Sequence, residues 1–106
     1  MHVQIVEFQL NDTTEEQYRA MCAELAPAFS ELPGLLAKVW LADIPSGTYG
    51  GVYLWESRQA MEDYKASDMF KAVGADPHLK GVRSREFATL EDPTQTTWKL
   101  GVVVPA

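Results

Sequence analysis

The chain has 106 residues, 46% apolar and 23% charged, with a formal net charge of -6. That length forms one domain (1-106) with a single core, but buries little enough surface that association with a second copy is expected. The acidic balance excludes a nucleic-acid partner bound through its phosphates, and the absence of a run of about 18 apolar residues excludes a membrane-spanning helix.

The N-terminal MHVQIVEF has neither a basic region nor a signal-type apolar stretch and enters a strand pattern at once, so a cytoplasmic location follows by default. Val3, Ile5, Val6, Phe8 and Leu10 put apolar residues on both alternating faces, and a strand buried on both sides needs two partners. Asn11-Asp12 breaks the pattern. Thr13 with Glu16 then reads as a capping box opening a helix. Tyr18, Met21, Cys22, Leu25, Phe29 and Leu32 recur at three- and four-residue spacing, as one helical face requires. Pro27 lies within that face and predicts a kink or restart, because it has no N–H for the carbonyl four residues back. Cys22, the only cysteine, excludes an internal disulfide and reads as a structural thiol on the apolar face.

Pro33-Gly34 ends the helix, and LLAKVWLA alternates as a second strand. After the loop IPSGTY, GGVYLWE forms a third, with Gly50-Gly51 allowing a bulge or a close backbone approach. Ser57 caps a second helix through Ala60, Met61 and Tyr64; Ser67 caps its continuation through Met69, Phe70 and Val73, with Gly74 as the expected end. Asp76-Pro77 marks a loop, and VRSREFATL alternates as a fourth strand. The order β-α-β-β-α-β is the ferredoxin-like signature, an α+β fold with both helices on one face of an antiparallel sheet. The open face is then expected to meet a second subunit. The tail TTWKLGVVV is too apolar for a solvated end, so residues 92–106 are expected to form an arm exchanged with the partner as an added strand.

No GxGxxG, P-loop, HExxH or CxxC is present, and His2 and His78 have no ligand-type neighbours in sequence. A nucleotide, flavin or metal site therefore has no support. Trp40, Tyr53 and Trp55 on adjacent strands, with Tyr64 on the covering helix, are either ordinary core aromatics or the walls of a pocket for a small apolar or aromatic molecule, a Tyr hydroxyl or indole N–H orienting it. Lys38 shares a strand face with Trp40. It is either an exposed edge lysine or a rim lysine whose burial lowers its pKa and makes it a base. Arg83, Arg85 and Phe87 share a face of the last strand, where the arginines form surface ion pairs or an anion site. His78 is a loop histidine suited by its intrinsic pKa to proton transfer.

At PGLLAKVW, GGVYLWES and AMEDY the chain resembles the YdhR-type monooxygenases, part of the dimeric α/β-barrel group that includes the antibiotic-biosynthesis monooxygenases. The specific part is residues 33 to 64, where Pro33, Gly34, Lys38, Trp40, Gly50, Gly51, Tyr53 and Leu54 match the family pattern and Trp55 stands where an aromatic is usual. The resemblance implies a homodimer and oxygenation without metal or flavin, molecular oxygen being the co-substrate. In such chemistry a deprotonated phenol or enol passes an electron to oxygen, and the protein supplies a dry cavity, a base and an orientation. Lys38 or His78 would be the base, with Tyr53, Trp40, Trp55 and Tyr64 as walls or donors. The same pocket could instead serve a non-redox cyclase, isomerase or lyase, or a non-catalytic binding protein. WESRQAMEDYKASDMFKAVG is also similar to the heme-degrading members of the group, whose heme-ligating histidine would fall near Gly74. With glycine there, heme is not expected, unless one further helical turn brings His78 into that role.

Overall fold

Alternation along each strand decides which side of the sheet a residue serves, and pairing turns those choices into rows. The computed structural model describes residues 1–101. Strands β1 (His2–Leu10), β2 (Leu35–Asp43), β3 (Thr48–Trp55) and β4 (Leu79–Ala88) form one antiparallel sheet in the order β2-β3-β1-β4. Helices α1 (Glu15–Ser30), α2 (Arg58–Lys65) and α3 (Asp68–Ala75) cover one face, and α4 (Glu91–Thr97) follows the last strand. This is the ferredoxin-like α+β arrangement expected from the element order.

Local signals set the helix ends, sometimes one residue from where the sequence pointed. The first cap is Thr14: its Oγ1 accepts from the Gln17 N–H and Gln17 Oε1 accepts from the Thr14 N–H, so the reciprocal box falls one residue later than Thr13 and Glu16. α1 runs through Pro27 as one helix, without the restart expected there. Ala23, four residues back, is exposed, so its orphaned carbonyl can be solvated. Ser57 and Ser67 cap α2 and α3 as their positions suggested, and Ser67 Oγ also donates to the Tyr64 carbonyl (2.5 Å). α3 ends after Gly74, at Ala75, because Asp76 precedes Pro77 and takes an extended conformation. The tail is not a strand where it is described: Glu91–Thr97 is helical, with Glu91 and Asp92 in its first turn, where negative charge favours a helix start. The remainder of the expected exchanged arm, 102–106, lies outside the described residues.

The helix-facing side of the sheet holds Val6, Phe8, Tyr49, Tyr53 and Trp55, packed against Tyr18, Phe29, Met61 and Tyr64. One polar residue, Gln4, is fully buried among them. Its Oε1 accepts from the Trp55 indole N–H (3.0 Å) and its Nε2 donates to Ser84 Oγ (3.1 Å), which donates on to Glu86, itself paired with Lys65 at 2.8 Å. Every polar group of that amide thus finds a partner, as burial demands.

The opposite face carries two largely apolar rows, Ala37-Leu54-Val3-Phe87 and Val39-Val52-Ile5-Arg85. Among the described residues nothing covers it: Val39 is 56% and Phe87 48% exposed.

Gly50 is where the sheet admits no side chain. It has φ 143°, and a Cβ there would lie 1.9 Å from the Val6 carbonyl oxygen on the paired strand. Gly50→Ala is expected to cost on the order of 2–4 kcal/mol by strain and backbone displacement, read as a lowered Tm in thermal unfolding. Gly47→Ala, at φ 69° with no atom within 4 Å, is expected to cost only about 1 kcal/mol. Equal shifts for the two variants would contradict the assigned close approach.

Candidate active site

Two rows on the helix-facing side build the site: Lys38 pairs across strands with Tyr53, and Trp40 with Gly51. The missing side chain at Gly51 makes the arrangement possible. A Cβ there would stand 2.8 Å from Lys38 Cε and 3.3 Å from Tyr53 Cε1, so the lysine chain lies across the bare glycine and turns inward under α1. Its Nζ comes to rest over three ring faces, 3.3 Å from the centroid of Trp40, 3.5 Å from Phe29 and 4.7 Å from Tyr53. The rings are held edge-to-face or tilted against one another: Phe29 meets Trp40 at 5.3 Å and Tyr53 at 6.2 Å.

Lys38, Phe29 and Trp40 form a shared wall between two spaces. One is a small pocket of about 40 Å³ bounded by Val6, Phe8, Tyr53, Met21 and Cys22. The other is an open groove of about 230 Å³ lined by Ala26, Ser30, Leu35, Leu36 and Ala37. A space of that volume suits a water rather than a ring. An aromatic ligand is better matched to the larger groove, where it meets the lysine amine and the Trp40 indole that both spaces share.

The electrostatics single out the same amine. Burial pushes Lys38 down to about 7, against a small opposing effect of Cys22, while the ring faces favour the ammonium. Both forms are accessible near neutrality. Burial pushes the phenols of Tyr18, Tyr53 and Tyr64 up, so they remain donors, and it raises the Cys22 thiol as well, so that group is not a nucleophile. The Tyr53 and Tyr64 hydroxyls lie 3.2 Å apart and share one hydrogen bond, leaving the other phenolic proton for a further acceptor.

Of the residues singled out from sequence, Lys38, Trp40 and Tyr53 are brought together at the cavity. Tyr64 and Trp55 sit behind them as core: Trp55 is fully buried and stacks on Tyr53 at 5.9 Å, and Tyr64 touches Phe29, Tyr53, Trp55 and Phe70. Arg83, Arg85 and Phe87 share a face as the alternation required, but it is the open face, away from the cavity. Both arginines bind Glu7 (2.9 and 2.6 Å), the hydrogen bond from Arg83 being the largest influence lowering that carboxyl. His78 is exposed at the start of β4, its Nδ1 3.3 Å from the Asn11 carbonyl oxygen and its N–H donating to Asp76, and it lines neither space. The α1 contribution, Phe29 with Cys22 and Tyr18, was visible in the sequence as a helical stripe, but periodicity alone does not distinguish a cavity wall from solid core.

No cluster of three or more metal-ligating side chains occurs among the described residues. For a heme held as the resemblance suggests, Gly74 offers no ligating atom, and His78 borders neither the pocket nor the groove.

No match was found among curated proteins. Solved structures similar to this chain include one described as a "putative antibiotic biosynthesis monooxygenase" from Deinococcus radiodurans, 17% identical with a TM-score of 0.71, covering 86% of this chain and 94% of that one. The heme-degrader MhuD from Mycobacterium tuberculosis, with two hemes in its active site, is 23% identical with a TM-score of 0.69, covering 87% of this chain and 98% of that one. SnoaB, a cofactor-independent oxygenase from Streptomyces nogalater, is 16% identical with a TM-score of 0.66, covering 83% and 91%. At these identities the likeness shows the fold alone. A family model described as "Putative mono-oxygenase ydhR" matches residues 3–99, and the chain belongs to that family.

Proposed function

We propose that the protein is a monooxygenase that needs no metal, flavin or heme and acts on a small electron-rich phenol or enol. The observation that carries this reading is the Lys38 amine among Phe29, Trp40 and Tyr53, the one site group held near neutral pKa while the phenols and thiol around it stay protonated. A neutral amine there removes the substrate's acidic proton, and the resulting ammonium stays beside the new oxyanion as its counter-ion. The anion is then electron-rich enough to pass an electron to molecular oxygen. Tyr53, unable to ionise, donates a hydrogen bond that orients the substrate, and the apolar walls exclude water from the reactive pair. The cofactor-independent oxygenase among the structural neighbours supports the reading on the same scaffold.

The working unit is proposed to be a homodimer joined through the two apolar rows of the open sheet face, with the Glu7, Arg83 and Arg85 group at one side of the contact. Burying that face offsets the small core of a chain this short.

Oxygen uptake with a panel of polyphenols and cyclic 1,3-diketones, using protein treated with chelator, tests the chemistry. The account expects uptake with one oxygen atom appearing in the product. Its kcat/KM should rise as pH increases through about 7 and level off above, since the base works only when it has lost its proton. Lys38→Met, which keeps the chain's bulk without the amine, is expected to lower kcat/KM by about 10²–10⁴-fold. Conversion of the same compounds without oxygen would favour a cyclase, isomerase or lyase, and binding without turnover a non-catalytic role. For the assembly, light scattering after size exclusion is expected to give twice the chain mass, and Val39→Glu with Phe87→Glu to give the single-chain mass. A monomeric wild-type protein at micromolar concentration would overturn the dimer.

A further inference from the structure

Proton transfer does not exhaust what the Lys38 setting permits. Among the described residues, Lys65 and four arginines make ion pairs with carboxylates, whereas Lys38 is in none and has ring faces as its close neighbours. The side chain borders both the small pocket and the groove, so a molecule in the groove can reach it without crossing the core. The groove is lined by Ala26, Leu35, Leu36, Ala37, Phe29 and Trp40 together with Ser30, shows about as much polar as apolar surface, and includes no carboxylate or second cation. That lining suits a small uncharged molecule with an apolar body and a polar carbonyl group.

We propose that Lys38 condenses with small apolar aldehydes and ketones entering by the groove, forming an imine and so serving as a covalent capture site. The amine lone pair forms a C–N bond to the carbonyl carbon, and the carbonyl π pair becomes an alkoxide. The proton lost from nitrogen is delivered to that oxygen through solvent in the open groove, giving a carbinolamine. Loss of the hydroxyl with a second proton releases water and leaves the imine, with no change of oxidation state and no need for an oxidant. Two features of the surroundings favour the step: burial keeps a share of the amine neutral near pH 7, and the rings that hold the ammonium also attract a protonated imine. The titratable groups facing the amine are Cys22 and Tyr18 from α1 and Tyr53 from β3, all protonated at neutral pH, so none competes as a nucleophile.

The test is reductive trapping of the wild-type protein with benzaldehyde and sodium cyanoborohydride at neutral pH, followed by peptide mapping. The four other lysines, Lys65, Lys71, Lys80 and Lys99, are internal standards. The proposal expects the first benzyl group on Lys38, at a rate at least about tenfold that of the exposed Lys71 and Lys80, because burial keeps a share of the Lys38 amine neutral and the rings hold the protonated imine. Labelling of Lys38 at or below the rate of those two would overturn it. Gly51→Ala, whose Cβ would collide with Lys38 Cε, should bring the Lys38 rate down to that of Lys71 while circular dichroism shows the fold retained. An undiminished Lys38 rate in that variant would equally overturn the proposal. Oxygen uptake plays no part in this readout, so the oxygenase reading and the imine reading fail separately.

Discussion

A primary amine placed among aromatic rings with no acid beside it is the constraint around which this molecule is arranged. Desolvation disfavours its charge and the ring quadrupoles favour it, and the near balance keeps both protonation states within reach at neutral pH. A carboxylate in place of any of those rings would fix the amine as a permanent cation. A Cβ at Gly51 would push it out of the site. The glycine, the two rings of β2 and β3 and the Phe29 ring of α1 therefore act together, and the sheet register that aligns Lys38 with Tyr53 and Trp40 with Gly51 is what assembles them.

The rest of the helix-facing side supports that geometry. Tyr64 closes over Tyr53 and Trp55, and Gln4 pins the Trp55 indole, so the rings beneath the lysine are held by hydrogen bonds as well as by packing. The satisfied chain from Trp55 through Gln4 and Ser84 to Glu86 and Lys65 ties β3, β1, β4 and α2 into one rigid floor. The wall toward the groove consists of only Lys38, Phe29 and Trp40. Rigidity on one side and a thin partition on the other is the distribution expected of a site that must admit a ligand and hold it in place.

Much of this was legible in the residues themselves. Strict alternation fixed Lys38 and Trp40 to one face, and the serines at 57 and 67 marked α2 and α3. What alternation cannot reveal is which face of β4 looks inward, because that depends on its pairing phase with β1. Arg83, Arg85 and Phe87 were thus grouped correctly while their side of the sheet stayed open. Trp55 and Tyr64 resembled pocket residues because size and aromaticity are the same in a core as in a cavity wall. His78 stood out by its pKa class, which says nothing of position. Gln4 gave no signal, since a polar residue between valine and isoleucine reads as the solvent phase of a strand. The helical course of Glu91–Thr97 was masked by the apolar residues after it.

The central claim is the state of one amine, and a pH titration of the Lys38 side chain by NMR, following its ¹³Cε and ¹⁵Nζ shifts in the intact protein, reads it directly. The account predicts a midpoint near 7. A Lys38 midpoint near the value of about 10.4 of a solvated lysine would place the amine in water and contradict the site described for this fold.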